Sequence, residues 1–188
     1  VREASRSYEF QALYSEIHNF CSLDLSALYF DMRKDSLYCD DPQDPKRRAT
    51  RTVMDITFEC LTKWLAPVLC FTAEEAWLSR YKDVKGKESV HLELFSELPF
   101  AWDAPALAQK YEELRNIRKV MTGALEVARA SKVIGSSLQA NIKLFIEPSL
   151  KPFIQDVDLA ELSITSGVEI VEGPIPENAF TLEDIQGE

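Results

Sequence analysis

Residues 44–77 read DPKRRATRTVMDITFECLTKWLAPVLCFTAEEAW, and this stretch predicts two consecutive helices. Asp44 is a candidate N-cap and Pro45 stands at the first helical position, a pairing of residue types that is typical of a helix start. Pro67 breaks or kinks this first helix. Its inward-facing residues recur at helical spacing, and they are Val53, Ile56, Cys60, Leu61 and Trp64.

The second helix of this stretch has a start signal of its own. Thr72 is followed three positions later by Glu75, which predicts a capping box for the first turn. Large aromatic side chains are frequent here, and we expect them to pack in the core rather than to stack on nucleic-acid bases. These residues are Phe58, Trp64, Phe71 and Trp77.

Helical periodicity continues on both sides of this stretch, over most of residues 1–138. A further helical stretch is predicted at about 26–33, and a long connection without sustained periodicity covers 82–104. The longest helix then opens with Pro105 and ends near Lys132. The first helix carries an amphipathic stripe of Phe10, Leu13, Tyr14, Ile17 and Phe20.

The hydrophobic pattern changes after residue 138. Alternating residues predict one strand near 142–146 and another near 168–170, with a short helix at about 150–157 between them. We therefore predict a mainly α protein: a helical bundle at 1–138 followed by a small α/β unit, strand–helix–strand, at 139–188.

The net charge of −10 at first argues against a nucleic-acid partner, but the charge is unevenly distributed. Residues 1–138 carry 19 Lys and Arg against 21 Asp and Glu, whereas residues 139–188 carry 2 against 10. The larger region is therefore close to neutral and can present local basic surfaces.

Sequence signals for catalysis are nearly absent. The chain has no glycine-rich phosphate loop, no GxSxG, no HExxH and no paired CxxC, so we expect no catalytic residue, no metal site and no cofactor in it. No run of about 18 apolar residues predicts a membrane span. The start at Val1 leads us to expect a piece of a longer protein. The cysteines are predicted to be buried thiols, and they are Cys21, Cys39, Cys60 and Cys70.

Two groups of basic residues predict contacts with a nucleic-acid backbone. One crowds the start of the helix at Pro45, where the backbone N–H groups also favour an anion; it consists of Lys46, Arg47, Arg48 and Arg51. The other follows one side of the longest helix and consists of Arg115, Arg118, Lys119, Arg129 and Lys132. We expect the opposite side of that helix, including Val127, to pack inward. An ordinary solvated surface accounts for either group about equally well.

Four strings add a family resemblance to this pattern. LAPVLCFTAEEAW at 65–77 resembles the signature of the helical anticodon-binding domain in class I aminoacyl-tRNA synthetases of the Ile/Val/Leu/Met group. LYFDMRKDSLYC at 28–39 and VHLELFSELP at 90–99 resemble other segments of the same domain. LRNIRKVMTGALEVARASKVIGSSLQA at 114–140 is, like the Phe-Thr-Ala step at 71–73, most similar to the isoleucyl-tRNA synthetases.

This resemblance implies that the chain is the tRNA-binding part of an isoleucine–tRNA ligase and acts on tRNA(Ile). It implies that catalytic and editing domains elsewhere in the parent chain use ATP and Mg²⁺ for aminoacylation, because their His-Ile-Gly-His-like and Lys-Met-Ser-Lys-Ser-like motifs do not occur here. A zinc segment would follow in many relatives. A cytoplasmic, monomeric enzyme is expected.

Two other interpretations of the sequence stay open. The same bundle occurs in valyl- and leucyl-tRNA synthetases, although the long coiled-coil arm of a valine enzyme would need sustained heptads that are not seen here. A helical protein–protein interaction module without an RNA function would suit the acidic residues 139–188, which could dock to a basic partner.

Overall fold

The computed structural model describes residues 1–182, which fall into two compact units that meet in sequence at Pro99 and Phe100. Helices dominate, and two short parallel strands lie in the second unit, so the predicted mainly α fold with a small α/β part is confirmed. The division at Pro99 differs from the boundary at 138 that the hydrophobic pattern predicts. The reason is that the longest helix packs against the helices of the α/β part.

The first unit begins with a helical segment that is almost continuous to Cys39. No glycine or proline interrupts residues 9–41, and Leu25 and Leu28 are buried along its middle. The helix predicted at 26–33 is therefore part of a longer one. The elements are α1 (Arg2–Arg6), α2 (Phe10–Asn19), a π-helix (Phe20–Phe30), α3 (Asp31–Cys39), α4 (Pro45–Leu65), α5 (Cys70–Tyr81) and a 3-10 turn (Val90–Leu92).

The core of the α4–α5 pair is built around Trp77, which is 0% exposed. Its ring packs near that of Tyr81 at a centroid distance of 4.5 Å, and its Nε1 donates to the backbone oxygen of Lys87 at 3.0 Å. Ala66, Ala73 and Val90 are buried in the same cluster. Core packing is thus confirmed for Trp77, while Phe58 packs against the cluster and Trp64 is half-buried.

Phe71 does not pack in the core, because its side chain is 92% exposed. It stands two residues before Ala73 on α5, and positions two apart do not share a helix face. The prediction of a capping box formed by Thr72 and Glu75 is also wrong. A turn closed by hydrogen bonds to the Leu65 oxygen leads straight into a helix that starts at Cys70, so Thr72 and Glu75 lie inside it.

The predicted N-cap of α4 is confirmed. The Asp44 carboxylate accepts hydrogen bonds from the amides of Lys46 at 2.8 Å and Arg47 at 3.1 Å. Because these amides have no partner within the helix, we expect Asp44→Ala to lower the free energy of unfolding by about 1 kcal/mol in urea denaturation. Asp44→Asn is the matched control, since asparagine caps about as well. Equal losses in both variants would contradict a capping role.

The second unit is organised by one long helix, which buries Leu114, Ile117, Met121 and Leu125. Its two strands, β1 (Asn141–Phe145) and β2 (Gly167–Val171), pair in parallel, with Asn141 opposite Gly167. The predicted helix at 150–157 is short, and a helix that the pattern did not predict precedes β2. The elements are a 3-10 turn (Phe100–Trp102), α6 (Pro105–Ala130), a second 3-10 turn (Ser137–Gln139), β1 (Asn141–Phe145), a third 3-10 turn (Pro148–Leu150), α7 (Lys151–Ile154), α8 (Leu159–Ser163) and β2 (Gly167–Val171).

The cysteines are free thiols, but only Cys60 is buried as predicted. Burial raises the pKa of the Cys60 thiol, although a hydrogen bond involving Ser96 acts in the opposite direction. Cys21 is half-buried, and Cys39 and Cys70 are exposed. Cys39 ends α3 and Cys70 begins α5, so both stand at helix termini next to connecting loops rather than on an inward face.

Candidate nucleic-acid interface

The first predicted basic group lies at the start of α4, and its members have different environments. Lys46, Arg48 and Arg51 are exposed. Arg47 is half-buried, and its Nη1 donates to the backbone oxygen of Asp40 at the end of α3. Its Nε is buried without a hydrogen-bond partner among residues 1–182. Arg47 therefore joins α3 to α4, while its three neighbours face solvent.

The backbone N–H groups at this helix start are not open to an anion as the sequence led us to expect. The Asp44 carboxylate already accepts from two of them, and the Arg48 amide donates to the Asp44 backbone oxygen. Any attraction for a phosphate at this end of α4 must therefore come from side chains. Arg48 and Arg51 are three residues apart and share a face of the helix.

The second basic group lies along α6, and its members differ in how close they lie to the buried face of that helix. Arg115 and Lys119 are exposed four residues apart on one side. Arg118 lies at the edge of the buried face and is half-buried, and its Nε donates to the Leu162 oxygen at 2.8 Å. Leu162 is near the C-terminal end of α8, where backbone carbonyls lack partners within the helix. Arg118 therefore holds α8 to α6.

The remaining members of this group lie at or beyond the end of α6. Arg129 forms an ion pair with Glu126 one turn earlier. Lys132 follows the helix end at Ala130 and has a left-handed backbone, with φ of 59°. Val127, which was predicted to pack inward, is 56% exposed, because Leu114 and Leu125 turn the buried face away from it. Arg115 and Lys119 are thus the central exposed pair on the helix.

Sequence reasoning missed a cluster of four charged side chains in the first unit. Lys63 is 7% exposed and lies 3.2 Å from Glu93 and 3.5 Å from Glu59. Lys87 lies 3.1 Å from Glu93 and 4.9 Å from the centre of the Trp77 ring. The spacing of Glu59 and Lys63 by four residues was the only signal of it in the sequence. The cluster fastens the connection after α5 to the α4–α5 pair.

Two pKa values are shifted in this charged cluster. Burial opposes ionisation of Glu93, but hydrogen bonds from Lys87 and Lys63 outweigh it and lower the pKa of the carboxyl. Burial raises the pKa of Tyr81, and so does the hydrogen bond that its hydroxyl donates to Glu59 at 2.7 Å. The Glu93 carboxyl therefore stays ionised, and the Tyr81 hydroxyl stays neutral, near neutral pH.

Neither a metal centre nor a membrane helix is found in the described part of the chain. Residues 1–182 bring together no group of three or more His, Cys, Asp or Glu side chains that could hold an ion. His91 places its Nε2 3.2 Å from the Cys70 backbone oxygen. Over the same residues, no helix combines the length and the apolar character that a membrane crossing requires.

Comparison with known proteins shows the family. Residues 1–144 match the family described as "Anticodon-binding domain of tRNA ligase". The whole chain is 50% identical to an isoleucine–tRNA ligase of Mesorhizobium japonicum and 45% identical to one of Bartonella henselae. A third, from Agrobacterium fabrum, is 46% identical over 98% of the chain. The chain spans 19% of the length of these relatives. It belongs to the family of anticodon-binding domains of tRNA ligases.

Proposed function

We propose that this chain is the anticodon-binding part of an isoleucine–tRNA ligase and holds tRNA(Ile) during ATP-dependent aminoacylation. The observation that carries the proposal is the identity of 45–50% to three isoleucine–tRNA ligases over at least 98% of the chain. Catalysis, with its ATP and Mg²⁺, belongs in this proposal to other parts of the parent chain, and so does any zinc. The parent enzyme would work as a monomer in the cytoplasm.

Within this proposal, the exposed basic side chains hold the RNA backbone. Lys46, Arg48 and Arg51 on α4, and Arg115 and Lys119 on α6, can reach solvent. Phosphate contacts of this kind position an RNA, whereas unpaired bases supply the sequence information. Arg47 and Arg118 contribute indirectly, since their guanidinium groups hold neighbouring helices in place.

The proposal is tested by titrating the chain with isoleucine tRNA and with a non-cognate tRNA at two salt concentrations, about 50 and 200 mM. We expect binding that prefers the isoleucine tRNA and weakens steeply with salt, because neutralised phosphates release counterions. An affinity that does not change between the two salt concentrations would contradict an interface with the RNA backbone. Equal binding of both tRNAs would remove the isoleucine assignment from this chain.

Charge reversal on α4 tests which side chains hold the backbone. We expect the double variant Arg48→Glu, Arg51→Glu to weaken tRNA binding for every sequence and to reduce the slope of log K against log salt by about one to two. The double variant Lys82→Glu, Lys85→Glu changes the net charge by the same amount at two exposed lysines after α5, so it is the matched control and should leave the slope unchanged. The same loss in both variants would point to net charge rather than to this surface.

A further inference from the structure

An open groove lined by aromatic and small side chains runs along the first two turns of α6. Trp102 stands at one end and Tyr111 at the other, and Ala104, Leu107 and Ala108 lie between them. The last four occur at i, i+3, i+4 and i+7, which places them on one face of the helix. The groove is therefore a continuous surface and not a gap between loops.

This surface exposes more aromatic area than packing of the unit explains. Trp102 is 52% exposed and Leu107 is 54% exposed, and Phe100 in the turn before them is 90% exposed. The other two tryptophans differ, because Trp77 is 0% exposed and Trp64 is half-buried. A half-exposed tryptophan that the core does not use is a feature of binding surfaces.

The groove continues directly into the exposed basic pair of α6. Arg115 follows Tyr111 by four residues, and Lys119 follows Arg115 by four, so both extend the same face. The buried residues from Leu114 to Leu125 lie on the adjoining side of the helix, next to Leu107 and Tyr111. One side of this helix thus presents aromatic rings at its start and two cations, together with the exposed carboxylate of Glu112, one to two turns later.

We propose that this groove binds one unpaired nucleobase of an RNA, stacked on Trp102 and Tyr111, with the adjoining phosphates on Arg115 and Lys119. Rings that stack on bases, next to cations that follow the backbone, are the two elements of single-strand recognition. The inference rests on the proposed function and adds to it a specific base-binding site.

The charges around the groove fix the direction of the bound strand. Asp103 lines the Trp102 end, where its carboxylate repels phosphate and can accept a hydrogen bond from the edge of a base. The cations lie at the Tyr111 end. The backbone therefore leaves the groove toward Arg115, and the base edge faces Asp103. An apolar peptide would make no use of this arrangement of charge.

The test measures the binding of two RNA hairpins to the whole chain. One carries the anticodon stem of isoleucine tRNA with its unpaired loop, and the other closes the same stem with a short, fully structured loop. We expect Trp102→Ala to raise the dissociation constant of the open-loop hairpin about tenfold. Its salt slope should remain, since Arg115 and Lys119 are intact. Trp102→Phe keeps a ring and should keep most of the affinity.

The outcomes separate this inference from the function on which it rests. The groove is supported if Trp102→Ala weakens binding of the open-loop hairpin alone and if Tyr111→Leu also weakens binding of that hairpin. Equal affinity of wild-type protein and Trp102→Ala for the open loop overturns the groove and leaves tRNA binding standing. Equal weakening for both hairpins also overturns it. Failure of the wild-type chain to bind tRNA or either hairpin overturns both proposals.

Discussion

Trp77→Ala is expected to lower the free energy of unfolding by about 3–5 kcal/mol, measured by urea denaturation followed by circular dichroism. The indole is 0% exposed and is packed by Ala66, Ala73 and Val90. Removing it leaves a cavity and an unpaired backbone oxygen at Lys87, to which Nε1 donates at 3.0 Å. The total free energy of unfolding of a native protein is only about 5–15 kcal/mol, so this change removes a large share of the stability.

Phe71→Ala is the matched control for this prediction, because it truncates an aromatic residue on the same helix. Phe71 is 92% exposed, so its removal should change stability by less than about 0.5 kcal/mol. Trp77→Phe keeps most of the volume but loses the hydrogen bond, and should fall between the two. Similar losses for Phe71→Ala and Trp77→Ala would show that the core is not centred on Trp77.

The contrast between these two residues shows how far the sequence predicts this fold. Spacing identified the helices and the N-cap at Asp44, because these depend on neighbours within a few positions. The same reasoning placed Phe71 in the core from its residue type alone. The start of α5 at Cys70, set by the turn after Leu65, decides which way Phe71 points. That turn has no strong sequence signal beyond Pro67.

The candidate interface was predictable in part for a related reason. Clusters of Lys and Arg are visible in a sequence, so Arg48, Arg51 and Arg115 could be selected correctly as exposed cations. Arg47 and Arg118 stand in the same clusters and look like the exposed arginines in the sequence. Their guanidinium groups, however, donate to backbone oxygens that only the tertiary fold brings near. The Trp102 groove was missed because Trp102 lies in the connection 82–104, where no periodic pattern predicts which side chains are buried and which are exposed.

Lys63→Met should lower the free energy of unfolding by about 3 kcal/mol, in the lower part of the range for breaking a buried ion pair. Its ammonium lies 3.2 Å from Glu93 and 3.1 Å from the Ser96 hydroxyl, and its side chain is 7% exposed. Methionine keeps the apolar stem but leaves the carboxylate of Glu93, 16% exposed, short of one cation. Lys87 remains beside it and limits the loss.

Lys34→Met provides the comparison, since it breaks an ion pair of similar length that is exposed to solvent. Lys34 lies 3.0 Å from Asp31 with 64% of its side chain exposed, so its loss should cost less than about 1 kcal/mol. The double variant Lys63→Met, Glu93→Gln should recover stability relative to Lys63→Met alone, because it removes the uncompensated charge. A double variant less stable than Lys63→Met would contradict this account. The destabilisation would then come from the lost hydrogen bond to Ser96 and the lost contact of the ammonium with the Trp77 ring, and the ion pairs would not be what fastens the connection after α5.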